Sequence, residues 1–360
     1  MAELFKDLYN EKYITLLSST LTLVYPAFNS DKFTRTVFNE EWQSLELKQR
    51  MRHISSSLGV YLPYEYKKAI DILENTFVKM SNGYMLENMI FQDFVEVYGL
   101  DEFEISLSAL KIFTIKSSSE FAIRQFLLKN EQRTMAQMKL WTESENEHVR
   151  RLASEGCRSR LPWAVALPSF KKDATLVLEI LELLKDDASA YVRKSVANNI
   201  NDISKDHPQV VVDLTKDWLG YSKNRDAILK HGCRTLLKAS HKETLELFDF
   251  ATPTDITLTN FTHKNRVKMG EELEFSFELI SNKSLGKLRV EFALGLLRKN
   301  NKHNTKVFKI SEFLTEKKIK QISKKHSFRS VTTRVYYEGV QKLSIIINGV
   351  VFKEVEFILF

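Results

Sequence analysis

The chain has 360 residues, 43% of them hydrophobic and 28% charged, with a formal net charge of +7. This length is too great for one ordinary core and suits two domains, and the composition is that of a folded protein rather than a disordered one. Its two cysteines, Cys157 and Cys233, and eight scattered histidines form no known ligand spacing, so we expect no disulfide framework, no metal site and no cofactor.

The N-terminus, MAELFKDLYNEKY, alternates charged with apolar residues and contains no continuous apolar core. This pattern excludes a signal peptide, and no later run of about 18 apolar residues predicts a membrane span. We therefore expect a cytoplasmic protein that makes no membrane contact. The phosphate-binding patterns G-x-x-x-x-G-K-[ST] and G-x-G-x-x-G do not occur, which argues against a kinase, nucleotide-hydrolase or dinucleotide-binding role.

Residues 1–250 show helical periodicity. Apolar residues recur there at three- and four-residue spacing, and most glycines and prolines lie between the periodic windows. The clearest windows are 65–79, 103–113, 174–185 and 243–248. The sequence therefore predicts a mainly α domain over 1–250.

Two segments of this domain repeat at an offset of 43 residues, NEHVRRLASEG at 146–156 and SAYVRKSVANN at 189–199. A weaker third copy, AILKHGCRTLL at 227–237, follows at an offset of about 36. Periods of this length are typical of HEAT-like arrays, which are α-α superhelical solenoids with two helices in each unit. Such solenoids present one helix of each unit on a concave surface, where we expect the function to lie.

Equivalent positions in the three copies predict a line of positive charge. Arg151 corresponds to Lys194 and then to Lys230, which stacked helices would align in a cationic column suited to backbone phosphates. Glu155 corresponds to Asn198 and then to Arg234. A carboxylate is unusual on a phosphate-facing surface. Glu155 therefore has either a chemical role or an ordinary i,i+4 ion pair with Arg151.

The pattern changes after a linker at 251–257. Short alternating runs rich in Val, Ile, Phe and Tyr extend from there to the C-terminus, separated by turn residues such as Asn348-Gly349. The runs cover 270–279, 288–294, 305–310, 333–339, 342–349 and 350–360. They predict an antiparallel, immunoglobulin-like β-sandwich over 258–360, although the usual Cys and Trp marks of that fold are absent.

The excess positive charge lies entirely in the last third of the chain. Residues 253–360 contain 20 Lys and Arg against 11 Asp and Glu, whereas residues 1–252 contain 33 against 35. A basic module joined to a nearly neutral one is typical of a protein with a polyanionic partner. Charge alone does not distinguish this from a basic domain that is simply soluble.

The segment EHVRRLASEGCRSRLPWA at 147–164 resembles the signature of AlkC-type proteins, within the HEAT-like-repeat DNA glycosylase superfamily that also includes AlkD. Further similar stretches cover 45–63, 118–127, 189–208 and 325–339, so the resemblance extends over nearly the whole chain, including the immunoglobulin-like module. It implies base-excision repair of alkylation damage in double-stranded DNA. The expected reaction is hydrolysis of the N-glycosidic bond of N3-alkylated bases, chiefly 3-methyladenine, with 3-methylcytosine as a second candidate.

The chemistry implied by the resemblance needs a carboxylate. An alkylated purine already carries positive charge and leaves readily, so the enzyme must mainly stabilise an oxocarbenium-like sugar and orient a water. Glu155 is the first candidate for this role. Glu120 is the second, unless it only pairs with Arg124, and Asp202 is the third, unless it caps the end of a helix.

The resemblance also implies a DNA-binding surface. Trp163 either presses on an exposed sugar or base or fills the space between helices. The residues expected to bind DNA through polar groups are Arg124, Arg151, Arg158, Arg160, Arg193, Lys194, Asn198, Lys230 and Arg234 in the helical domain, with Lys325, Arg329 and Arg334 in the sandwich. Any one of them is otherwise a solvated surface residue. We expect a monomer bound to duplex DNA that contains alkylated bases.

Two other functions remain open at this point. One is a repeat scaffold that binds DNA without cutting it, since a fold does not settle a function. The other is a protein-binding adaptor, for which an apolar or acidic concave face is expected instead of a cationic one.

Overall fold

The structure is a computed structural model that describes residues 5–330 and 335–360. Its chain divides into two compact units. The first runs to Asp206 and takes in Lys223–Ile228, and the second consists of His207–Ser222 and Leu229–Phe360. None of the helices in the described ranges has the length and apolar character that a membrane crossing demands.

The first unit is built from helices joined by turns and loops. They are α1 (Glu11–Val24), α2 (Ser30–Val37), α3 (Leu47–Tyr61), α4 (Tyr66–Lys79), α5 (Met89–Tyr98), α6 (Phe103–Phe113), α7 (Ile123–Lys129), α8 (Glu131–Trp141), α9 (Glu147–Gly156), α10 (Pro168–Lys172), α11 (Thr175–Leu184) and α12 (Ala190–Ile203). Short 3-10 helices lie at Phe5–Leu8 and Trp42–Ser44. The helices predicted at 65–79, 103–113 and 174–185 are confirmed as α4, α6 and α11.

Helix α9 packs against α8, α11 and α12 through an apolar stripe. Val149, Leu152, Ala153 and Gly156 are all buried, as their i, i+3, i+4, i+7 spacing predicts. A Cβ atom at Gly156 would lie 2.7 Å from Cγ2 of Ile123. Glycine at that position therefore lets the end of α9 come close to α7.

The helices beyond α12 differ from the predicted third copy. They are α13 (Pro208–Trp218), α14 (Lys223–Gly232), α15 (Arg234–Lys238) and α16 (Lys242–Leu247), the last confirming the window at 243–248. The segment 227–237 spans the end of α14 and the beginning of α15, with the break at Cys233. The weaker third copy is therefore interrupted, unlike the two earlier copies, which each lie at the start of one helix.

The second unit contains a β-sandwich. Its strands are β1 (Ile256–His263), β2 (Arg266–Val267), β3 (Glu272–Ser281), β4 (Gly286–Leu297), β5 (His303–Thr315), β6 (Ile319–Ser327), β7 (Gly339–Ile347) and β8 (Val350–Leu359). They form one sheet in the order β1-β3-β6 and another in the order β2-β8-β7-β4-β5. All pairings are antiparallel except that of β2 with β8.

Inward-facing apolar residues of both sheets form the sandwich core, with Phe275, Phe277 and Phe292 among its largest members. The predicted turn between β7 and β8 is confirmed, since Asn348 and Gly349 have φ angles of 46° and 83°, both in the left-handed region. The strand predicted at 333–339 is wrong for its described part, because residues 335–338 lie outside any strand. The domain boundary at 251–257 stays a prediction, because residues 229–250 share a compact unit with the strands.

Candidate functional site

Helices α9 and α12 begin in the same way, which explains part of the 43-residue repeat. The side chain of Asn146 accepts a hydrogen bond from the first turn of α9, and Ser189 does so for α12. Arg150 donates to the carbonyls of residues 144 and 145 at 2.8 and 2.9 Å. Arg193 donates to those of residues 187 and 188 at 2.7 and 2.8 Å. The repeated arginine therefore holds the turn before each helix.

Glu155 lies in the last turn of α9 and is only 5% exposed. Its Oε1 accepts a hydrogen bond from Arg158 at 2.6 Å and lies 3.5 Å from a guanidinium nitrogen of Arg151. Its Oε2 accepts one from the hydroxyl of Ser195 on α12, also at 2.6 Å. The predicted i,i+4 pair with Arg151 is thus present, but it is the longest of three contacts.

Arg158 connects Glu155 to a second carboxylate. Its Nε donates to Oδ2 of Asp202 at 2.8 Å, and the other oxygen of Asp202 accepts from Lys205 at 2.9 Å. Burial lowers the pKa of Arg158, but the carboxylates of Glu155 and Asp202 outweigh burial and raise that pKa above its usual value. Arg158 is therefore a cation held between two acids.

Glu120 is connected to the same cluster through Arg151. Oε2 of Glu120 accepts hydrogen bonds from a guanidinium nitrogen of Arg151 and, at 2.8 Å, from the hydroxyl of Ser118. Arg151 also lies over the ring of Tyr191, 5.1 Å from its centroid. Glu120 makes no ion pair with Arg124 among the described residues, so the pair considered for it in the sequence is not the one that forms.

The three candidate acids thus lie in one network with the sequence of charges Glu120, Arg151, Glu155, Arg158, Asp202 and Lys205, which we call the carboxylate–arginine network. Acids and bases alternate along it, and its formal charge is zero. Exposure of the acid side chains falls along the series, from 16% for Glu120 through 7% for Glu155 to 2% for Asp202. Glu120 and Glu155 are therefore its more accessible carboxylates.

Arg124 is completely buried, which corrects its predicted contact with DNA. It donates to backbone carbonyls of Val165 at 2.6 Å, Gly156 at 3.1 Å and Arg158 at 2.7 Å. Burial lowers its pKa to about 10. A guanidinium without accessible surface cannot reach a phosphate, and Arg124 instead holds the loop that follows α9.

Cys157 is the first residue of this loop and is fully buried, and its thiol contacts the carbonyl of Ala153 at 3.2 Å. Burial raises the pKa of Cys157 to about 12. The thiol is therefore protonated at neutral pH and is not a nucleophile.

Trp163 lies in the loop after α9 with 65% of its surface exposed. Of the two alternatives that the sequence left open, the core-filling one is therefore wrong. Its φ angle is 63°, a left-handed conformation that is strained for a bulky residue. The indole contacts Phe5 edge-to-face with ring centroids 6.3 Å apart, and Lys48 donates a hydrogen bond to the Trp163 carbonyl.

The three members of the predicted cationic column differ in how available they are to a phosphate. Arg151 is paired with Glu120 and Glu155. Lys230 belongs to the second unit, where it lies 3.3 Å from Glu312 and over the rings of Phe248 and Phe250. Burial lowers its pKa to about 8. Lys194 is the member that remains exposed.

The other predicted phosphate ligands differ in how available they are. Arg158 is buried and is therefore not available to DNA, whereas Arg193 is half-buried and donates to the turn before α12. Arg160 is 38% exposed and pairs with Asp206, and Arg234 donates to the His231 carbonyl at 2.7 Å. The rest are Asn198, which is half-buried on α12, Lys325 and Arg329, which are exposed in the sandwich, and Arg334, which lies outside the described residues. Lys325 pairs with Glu274 at 2.8 Å.

Several contributors to the network were not predicted from the sequence, namely Ser118, Tyr191, Ser195 and Lys205. One of them carried a usable signal. Ser195 shares a stripe of α12 with Val192 and Asn199, at i, i+3 and i+7, and all three are buried. A hydroxyl in a buried stripe needs a hydrogen-bond partner, which here is Glu155.

Known proteins resemble this chain over both of its parts. The family described as DNA alkylation repair enzyme matches residues 95–234, and the C-terminal Ig-like domain of the uncharacterised protein YhaZ matches residues 257–360. The uncharacterized protein YhaZ from Bacillus subtilis (strain 168) is 43% identical over 359 residues, covering 99% of each chain.

A solved structure is similar over the same extent. It is the alkylpurine DNA glycosylase AlkC of Pseudomonas fluorescens, bound to DNA containing an abasic site analog. Its sequence is 34% identical to this one, the match covers 99% of this chain and 100% of that one, and the TM-score is 0.94. The predicted architecture, helical repeats followed by an immunoglobulin-like sandwich, is thereby confirmed.

Proposed function

This chain belongs to the DNA alkylation repair family of AlkC and YhaZ, and from that premise we propose that it is a glycosylase for N3-alkylated bases in duplex DNA. The expected substrates are 3-methyladenine and, secondarily, 3-methylcytosine. The observation that supports this proposal is the carboxylate–arginine network, which brings three acids from separate segments together through Arg158, a residue of the loop that also carries the exposed Trp163.

Glu155 is the proposed catalytic carboxylate. The base leaves as a neutral molecule because the alkyl group has already made it cationic, and positive charge then develops on the deoxyribose. A fixed carboxylate stabilises that charge and accepts a hydrogen bond from the attacking water. The network is neutral overall, so the electrostatic stabilisation of the sugar depends on which charged member lies nearest to it. We assign that position to Glu155, whose carboxylate lies at the end of α9.

The other acids have different proposed roles. Glu120 is the most exposed and, with Arg151, forms the outer part of the network, where it contacts the sugar or the water. Asp202 is nearly inaccessible and contacts Arg158 and Lys205, so it acts as a positioning residue that orients Arg158 against Glu155. Trp163 contacts the distorted nucleotide, while Lys194 and Arg160 bind phosphates.

The sandwich contributes exposed cations to the same partner. Lys325 and Arg329 lie at the end of β6 and just after it, and we propose that they bind the DNA backbone. A neutralising contact with a phosphate releases counterions, so this contribution weakens as salt rises.

Release of free base from methylated duplex DNA tests the proposal. Glu155→Gln removes the charge and keeps the shape. We expect base release to fall by about 10²–10³-fold, as for loss of one electrostatic stabiliser, with little change in affinity for duplex DNA. Glu147→Gln is the matched control, the same substitution at the exposed first residue of the same helix, and it leaves release unchanged.

The alternative function is a DNA-binding scaffold without catalysis. A wild-type protein that binds methylated duplex DNA but frees no alkylated base would establish that function and overturn the glycosylase.

A further inference from the structure

The loop at 157–167 is held in an unfavourable conformation from within and from outside. From outside the loop, Arg124 of α7 donates to the carbonyls of Arg158 and Val165, on both sides of Trp163. Two backbone bonds close the loop on itself, from Ala164 to Leu161 at 3.3 Å and from Leu167 to Ser159 at 3.2 Å. None of these contacts involves Trp163, the residue whose backbone is left-handed.

Phe5 contacts the indole of Trp163, and the hydrogen bond to the Trp163 backbone comes from Lys48. This lysine lies in the first turn of α3, 115 residues away in sequence, and donates to the Trp163 carbonyl. Its ammonium also lies 4.4 Å from the centroid of the Phe121 ring. Phe121 directly follows Glu120. One ammonium group therefore joins α3, the Glu120 segment and the Trp163 loop.

Within the described part of the chain, Lys48 makes this contact to the Trp163 carbonyl without a competing ion pair. It lies at the edge of a groove of about 490 Å³ that contains Arg52 and Asp93, yet Arg52 makes the ion pair with Asp93. In residues 5–330 and 335–360, Lys48 makes no ion pair within 4.0 Å. Its charge is thus directed at a ring face and a carbonyl, both of which attract an ammonium group.

We propose that Lys48 is a positioning residue that holds the Trp163 loop in register with Glu120. Without this bond the left-handed backbone of Trp163 relaxes, and the indole no longer keeps a fixed position relative to the carboxylates. The proposed effect of Lys48 on the conformation of the Trp163 loop depends only on its contacts with the Trp163 carbonyl and the Phe121 ring. Its consequence for base release rests on the proposed function.

Tryptophan fluorescence of the free protein reports the loop directly. Trp163 is 65% exposed, whereas Trp42, Trp141 and Trp218 are 3–4% exposed, so subtracting the signal of Trp163→Phe isolates the loop. Time-resolved anisotropy of Lys48→Met should show at least about a twofold larger amplitude of nanosecond motion. Lys48→Arg restores the wild-type amplitude. Lys68→Met, at an exposed lysine of α4, is the matched control and leaves it unchanged.

Kinetics on methylated DNA supply the second measurement. We expect Lys48→Met to lower the single-turnover rate of base release about tenfold with the affinity for DNA unchanged, and Lys48→Arg to recover it. In a Trp163→Ala background, Lys48→Met should add no further loss, because the group that it positions is gone.

A phosphate-binding Lys48 gives a different result. In that case the slope of log affinity against log salt falls by about 0.9 and the anisotropy of Trp163 stays at its wild-type value, and the proposal is overturned. If the wild type frees no base, the proposed function fails, and the anisotropy alone still decides whether Lys48 holds the loop.

Discussion

Replacing Arg158 by methionine separates its observed role in the network from the phosphate contact that the sequence predicted. The variant loses charge-assisted hydrogen bonds of 2.6 Å to Glu155 and 2.8 Å to Asp202, each worth about 1.5–3 kcal/mol. Glu155 keeps Ser195, and Asp202 keeps Lys205. We therefore expect the lower end of the combined range, about 3 kcal/mol, which matches the cost of breaking a buried ion pair.

Urea and thermal unfolding at pH 7 measure this loss. For a unit of this size, about 3 kcal/mol lowers Tm by roughly 6–12 °C. Arg160→Met is the matched control, because Arg160 is 38% exposed in its pair with Asp206 and should cost less than about 1 kcal/mol. A loss below about 1 kcal/mol for Arg158→Met, together with a salt slope of DNA binding reduced by about 0.9, would refute the network role and establish phosphate binding.

Three further substitutions test other parts of the structure. Burial raises the pKa of Asp187, but Arg150 and the Ser189 N–H outweigh it and lower the pKa overall; the stability that Asp187 contributes is therefore present at pH 7 and lost as pH falls. Urea unfolding should show the stability deficit of Asp187→Asn shrinking as the pH falls below the usual pKa of an aspartate, about 3.9. Trp163→Gly relieves the left-handed backbone, so thermal unfolding should show up to about 1 kcal/mol more stability while base release becomes slower. In Gly349→Ala the new Cβ lies 2.6 Å from Leu245 at a φ of 83°, and chemical denaturation should show a loss of about 1–3 kcal/mol.

The helices could be predicted because their apolar spacing is regular, as in α6, whose observed bounds match the predicted window. Edge strands were harder to predict from the sequence, and neither β1 nor β6 was among the predicted runs. The strands β1 and β6 lie at the two edges of their sheet, and β6 has the burial of a largely exposed strand with several lysines. Charge on an edge strand prevents pairing with other chains and at the same time removes the alternation that marks a strand. The strand predicted at 333–339 failed for the opposite reason, since its Val and Tyr residues suit a strand but part of it is a loop.

The repeat singled out Glu155 and its i,i+4 pair with Arg151, whereas Glu120 and Asp202 came from the family resemblance and their partners could not be read from spacing. Arg151 pairs with Glu120, which lies 31 residues before it, and Arg158 pairs with Asp202, which lies 44 residues after it. Such pairs depend on how the helices stack. Arg158 was therefore predicted as a phosphate ligand, although in the structure it pairs with buried acids. Arg193, also predicted as a phosphate ligand, donates to the turn before α12.

Affinity for a cationic abasic analogue tests the central claim, that Glu155 stabilises positive charge on the sugar. Duplex DNA with a pyrrolidine at the abasic position mimics the oxocarbenium ion, and a tetrahydrofuran at the same position is its neutral counterpart. We predict that the wild type binds the pyrrolidine duplex at least about tenfold more tightly than the tetrahydrofuran duplex, and that Glu155→Gln binds both equally. An unchanged preference in Glu155→Gln would contradict the claim and assign the charge stabilisation to another group.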